Sequence, residues 1–108
     1  MFENLIMMEC LKYRLNQGKE PNVYFYRDSN QNEVDILIKE HGELIAIEVK
    51  SSMTYNKIFE KHIRQLPSWI NTPVARRAIV YTGDFENTAG DINLINYRHL
   101  PDFLYNRI

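Results

Sequence analysis

The chain is poor in the residues that staple or punctuate small domains. Cys10 is the only cysteine among 108 residues. No disulfide can therefore close within the chain, no cysteine-type zinc site can be built, and a reducing, cytoplasmic location is the expectation. Cys10 has no base near it in sequence and reads as a buried thiol. The three histidines, His41, His62 and His99, share no ligand spacing and read as structural or solvated. Gly18, Gly42, Gly83 and Gly90 are the only glycines, and no G-x-x-x-x-G-K-[ST] runs through them. That excludes a phosphate-cradling P-loop, and with it ATP binding by this chain. An excess of one charge is missing too: 13 Lys and Arg stand against 14 Asp and Glu, a net charge of −1. The whole chain has no field to draw a polyanion, so nucleic acid could be met only by a local patch. No membrane segment is expected. The apolar start MFENLIMMECL lacks a basic lead and is interrupted by Glu3 and Glu9, so it reads as a helix rather than a signal peptide.

A composition of 44% hydrophobic and 25% charged residues fits one globular domain over residues 1–108. Phe2, Leu5, Ile6, Glu9 and Tyr13, with Leu11 and Leu15, have helical spacing, and Asn16-Gln17-Gly18 stops the helix. Met1 sits almost on the first core position with no lead-in, which creates the expectation of further chain upstream. Residues 23–27 (VYFYR) read as a strand with its aromatic residues in the core, and the turn formers of residues 28–32 lead into a second strand. Phe59, Ile63, Leu66 and Ile70 give a helix that Pro67 interrupts. Trp69 is expected to anchor it to the sheet. Residues 77–82 (RAIVYT) form a buried strand, reached by a helical crossover and so parallel to a neighbour. Residues 83–90 are a polar loop, 92–97 a strand and 100–108 a terminal helix. The predicted order is α-βββ-α-β-β-α: an α/β fold whose mixed sheet joins a three-stranded antiparallel meander to a helical crossover.

NEVDILIKEHGELIAIEVKSS, residues 32–52, carries the chemistry. If Glu40 pairs with Glu43 across the turn at His41-Gly42, Asp35 falls opposite Glu48 and Glu33 opposite Lys50. Alternation then puts Val34, Ile36 and Ile38 on one face and Glu33, Asp35 and Leu37 on the other, with Glu48 and Lys50 beside the acids. Opposed side chains on paired strands lie about 5 Å apart at Cβ. Two carboxylates there repel by about 3 kcal/mol at an effective dielectric of about 20. A hard divalent cation, Mg²⁺ or Mn²⁺, held by Asp35, Glu48 and the Val49 carbonyl, would turn that repulsion into shared attraction. Lys50 would stand beside it as a point charge, as hydrolysis of a phosphodiester requires. The alternative is a solvated sheet face with Glu33, Lys50 and Arg27 neutralising one another, and spacing alone favours it.

Glu3 on the opening helix, Glu33-Val34-Asp35 and Glu48-Val49-Lys50 followed by a helix and two strands resemble the PD-(D/E)XK nuclease superfamily, with its restriction-endonuclease-like core. FENLIMMECLK, YFYRDSNQNEVDILI, ELIAIEVKSS and INLINYRHL are more closely similar to the C-terminal domain of unknown function that accompanies prokaryotic AAA-type ATPases. The resemblance implies Asp35 and Glu48 as metal ligands, Lys50 as catalytic lysine and Glu3 as an outer carboxylate, with Glu9 competing for that place. Gln65 would match a supporting helical glutamine. Val34 occupies the position of the usual proline. The expected function is a Mg²⁺-dependent DNA nuclease attached to an upstream ATPase region. The alternatives are an inactive nuclease-fold module for DNA or protein binding, and a plain dimerising domain.

Lys57, Lys61 and Arg64 could follow a DNA backbone beside the acids, although a basic stripe opposite Phe59 and Ile63 is also what an amphipathic helix needs, and solvation is the favoured reading. Arg76 and Arg77 read as an ordinary exposed pair.

Overall fold

Period-two alternation in the middle of the chain and helical spacing on either side of it set the layers. The computed structural model describes residues 1–108. Helix α1 (Phe2–Asn16) is followed by strands β1 (Val23–Arg27), β2 (Glu33–Glu40) and β3 (Glu43–Lys50). Helix α2 (Lys61–Gln65), strands β4 (Val74–Tyr81) and β5 (Asn93–Asn96) and helix α3 (Leu100–Leu104) complete the predicted order. The five strands lie in sequence order, with β1, β2 and β3 antiparallel and β4 and β5 parallel to β3. From β2 to β5 the sheet is packed on both faces. Ile6 and Cys10 of α1 and Leu100 and Phe103 of α3 pack on Ile36, Ile38, Ile45, Ile47 and Val80. Ile63 and Leu66 pack on Leu37, Ala46, Ile79 and Tyr81 of the other face.

Local chemistry explains most boundaries. Helix α1 ends where Gly18 takes a φ of 69°, with its N–H donating to the Leu15 carbonyl at 2.9 Å. His41 and Gly42 both have positive φ, 53° and 77°. That is the two-residue turn matching the twist of a hairpin, and it sets Glu40 opposite Glu43 as expected.

The helix expected after β3 is shorter and split. A 3₁₀ turn (Lys57–Glu60), capped by Asn56 accepting from the Ile58 N–H at 3.0 Å, leads into five-residue α2 and then a second 3₁₀ turn (Leu66–Ser68). Pro67 lacks the N–H that would continue the α ladder. Trp69 anchors this segment as expected, stacking on Tyr26 with ring centroids 5.4 Å apart.

The terminal helix also ends early, at Leu104. Its last carbonyls, those of Phe103 and Leu104, accept from the Arg76 guanidinium, which also lies 4.7 Å over the Phe103 ring. Arg76 is thus a helix cap from a neighbouring strand, not an ordinary exposed residue. Strand β5 is reached by a loop without a helix, and Asn87 of that loop bridges Leu94 and covers part of the outer edge of β5.

One departure matters for function. The β2–β3 ladder keeps the predicted register from Glu40↔Glu43 to Ile36↔Ile47 and stops there. On the other side of β2, Tyr24 pairs with Leu37 but Tyr26 pairs with Val34. Three steps on β2 therefore match two on β1, which places a bulge at Asp35-Ile36. The bulge turns Val34 over to the α2 face beside Leu37 and Ala46, not to the face of Ile36 and Ile38 where strict alternation put it.

Candidate active site

Where the ladder ends, side chains take over its hydrogen bonds. Glu48 Oε1 accepts the Asp35 N–H at 3.1 Å, and Asp35 Oδ2 accepts the Val49 N–H at 2.8 Å. Each carboxylate thus reaches across the gap and satisfies a backbone donor that the parting strands leave without a partner. In an extended strand a residue's N–H and C=O point to the same edge, so the Val49 carbonyl faces this gap as well.

The two acids do not share a single face, and that expectation is corrected. Asp35 lines a hollow of ≈ 240 Å³ with Glu3 and Met7 of α1 and Phe25, Arg27 and Glu33. Glu48 lines a second hollow of ≈ 330 Å³ on the α2 side, with Lys50, Phe59, Lys61 and His62. The bulge is the cause: it turns Asp35 towards α1, while unbroken alternation keeps Glu48 and Lys50 together. The acids meet across the gap, through their reciprocal bonds, rather than by standing side by side.

The surroundings disfavour charge on both. Burial, and then the negative charge of Asp35, push Glu48 up to about 8, opposed by the Asp35 N–H and by Lys50. Burial also raises Asp35, against the pull of the Val49 N–H, and the charge of Glu3 adds to the rise. Lys50 Nζ is 3.7 Å from Glu48 Oε2 and 5.4 Å from the Phe59 ring centroid.

The remaining sequence candidates divide. Glu3 sits in the hollow of Asp35. Glu9, its competitor, lies instead in an apolar groove with Tyr97 and Pro101, and pairs with Lys12 at 3.5 Å. Glu33 does not face Lys50; it pairs with Arg27 at 3.2 Å, because the strands have separated by that point. Gln65 is exposed beyond the hollow, its carbonyl accepting from the Ser68 hydroxyl at 2.6 Å. The basic trio is dispersed by the split helix. Lys57 is exposed on the 3₁₀ turn, Lys61 lines the Glu48 hollow, and Arg64 is held by Glu60 at 2.7 Å and Asp91 at 3.0 Å.

Sequence reasoning missed two residues. His62 lines the same hollow as Glu48, its Nδ1 3.0 Å from the Glu33 carbonyl. The available signal was its place three residues after Phe59, on the same side of a helical turn. Phe25 was expected in the core, yet it is 64% exposed and Tyr24 is 52% exposed, because β1 is an edge strand that the helices only partly cover.

Asp35, Glu48 and the Val49 carbonyl would offer only oxygen donors, the type a hard divalent cation takes. Two desolvated carboxylates with raised pKa values are also the condition that a bound cation relieves. No group of three His, Cys, Asp or Glu side chains converges to hold an ion. A cation in the gap would therefore complete its shell with the carbonyl, water and substrate oxygens, as Mg²⁺ commonly does.

Compared with known families, residues 1–100 match the model of a domain of unknown function (DUF4143). No curated protein and no solved structure matches the chain.

Proposed function

The chain belongs to the DUF4143 family, and from that premise we propose that it is a Mg²⁺-dependent nuclease-type domain that hydrolyses phosphodiester bonds in DNA. The observation that carries this reading is the end of the β2–β3 ladder at Ile36↔Ile47, beyond which Asp35 and Glu48 reach across the gap. A restriction-endonuclease-like core is supported by the order of elements and by Glu3 standing beside Asp35. Service to an AAA-type ATPase region of the same polypeptide rests on the sequence resemblance alone.

When bound, the cation supplies Lewis-acid polarisation of the phosphate and activation of a water. Asp35, Glu48 and the Val49 carbonyl would hold it, and Glu3 would add negative charge from α1. Lys50 stands where charge develops on the phosphate, and its position over the Phe59 ring keeps the ammonium at the wall of the hollow.

Calorimetric titration of the protein with Mg²⁺ and Mn²⁺, with parallel incubation on single- and double-stranded DNA, tests the proposal. Asp35→Ala is expected to abolish both metal binding and cleavage, and Lys50→Ala to abolish cleavage while metal still binds. Absence of millimolar metal binding, or cleavage undiminished in Asp35→Ala, would refute it.

A second reading, an inactive module that retains the fold for binding, is favoured by one feature. Each acid already accepts a backbone N–H, and the two open to different hollows. In that case the pair is only a clasp between strands, and its loss lowers stability without removing any hydrolysis.

A further inference from the structure

Charge is distributed unevenly between the two hollows that meet at the gap. The α1 side holds Glu3, Glu33 and Asp35 with one cation, Arg27, already paired with Glu33. The α2 side holds Lys50, Lys61 and His62 around a single carboxylate, Glu48, whose side chain is only 5% exposed. In a chain of net charge −1, this is a local cationic concavity next to the candidate metal ligands.

His62 is oriented for a ligand. Its Nδ1 lies 3.0 Å from the Glu33 carbonyl oxygen and 3.5 Å from the Glu33 nitrogen. According to the tautomer, Nδ1 donates to that carbonyl or accepts from the Glu33 N–H. Trp69 meets the ring edge-on at 6.0 Å and is itself stacked on Tyr26, so the imidazole is braced from β1 and β2 at once. Nε2 is left as the ring nitrogen without a protein partner.

We propose that the α2-side hollow is a phosphate seat, in which His62 Nε2 and Lys61 grip a phosphate group while Lys50 faces it from β3. The proposal rests on the nuclease reading for its substrate, and adds that the polyanion approaches from the α2 face. Arg64 takes no part, because Glu60 and Asp91 occupy its guanidinium.

The test is metal-free, with inorganic phosphate titrated into the whole chain and the side-chain ¹⁵N signals of His62 and the lysines followed by NMR. The His62 Nε2 signal is expected to move on saturation. Lys61→Ala and His62→Asn should each weaken phosphate about threefold to tenfold, the loss of one charge-assisted contact. Asparagine keeps a donor at the Nδ1 position and so preserves the Glu33 bond and the fold. His62→Gln, with its amide at the Nε2 position, should restore part of the affinity. Lys12→Ala, an equal charge loss on the outer side of α1, is the control. The proposal is overturned if wild type binds no phosphate at tens of millimolar, or if Lys61→Ala and His62→Asn lose no more than Lys12→Ala. A chain that binds phosphate here but cuts no DNA would retain the seat and lose the nuclease. One that cuts DNA while His62→Asn binds phosphate normally would do the reverse.

Discussion

Glu48→Gln should make the metal-free protein more stable, and more so at higher pH. A folded-state value of about 8 against the ordinary 4.5 means that ionising Glu48 costs on the order of 5 kcal/mol more in the folded chain than in the unfolded one. Local relaxation and water entry could halve that figure. The folded state holds the proton more tightly, so the Glu48 contribution to wild-type stability is most favourable below pH 4.5, falls from there through pH 8, and bears the full penalty above it. Glutamine stays neutral throughout and keeps the acceptor for the Asp35 N–H. Urea denaturation in EDTA should therefore find the two proteins within about 1 kcal/mol at pH 5, and the variant ahead by about 2–5 kcal/mol at pH 9. Adding Mg²⁺ at pH 9 should raise wild type alone, by about 2.7 kcal/mol at a hundred times the dissociation constant. A stability difference unchanged between pH 5 and pH 9 would refute the claim that burial and Asp35 disfavour the Glu48 charge.

Two further outcomes follow from the packing. Arg14 is buried, 3.2 Å from Glu40, which also accepts the Tyr13 hydroxyl at 2.8 Å. Arg14→Met should cost about 3–5 kcal/mol in chemical denaturation by leaving Glu40 without its cation, and adding Glu40→Gln should recover more than half of it; full additivity of the two changes would count against the pair. At Gly83 a Cβ would press into the Met53 carbonyl and the Tyr81 ring, so Gly83→Ala should destabilise by about 1–3 kcal/mol, and a neutral result would show that the loop yields.

Much of the architecture was legible in the sequence because it depends on near neighbours along the chain. Alternating Ile45, Ile47 and Val49 and the His41-Gly42 turn sufficed to pair Glu40 with Glu43, and the register of four further pairs followed. Glu3 was named on resemblance and Asp35 from strand register, and the fold brings them into one hollow. The single acidic face failed at one residue, since an extra residue in β2 is tolerated or refused according to what packs on either side of it. Arg64 could not be separated from Lys61 by spacing, because Asp91, its partner, lies 27 positions away.

By itself, then, the chain determined the order of helices and strands, which hairpin forms, and that Asp35, Glu48 and Lys50 lie near one another, because side-chain period and turn chemistry act over a few residues. Only tertiary structure decided which way Asp35 turns, how high the Glu48 pKa rises, and which cations remain to meet an anion. Those depend on desolvation and on partners supplied by distant segments, which no local pattern encodes.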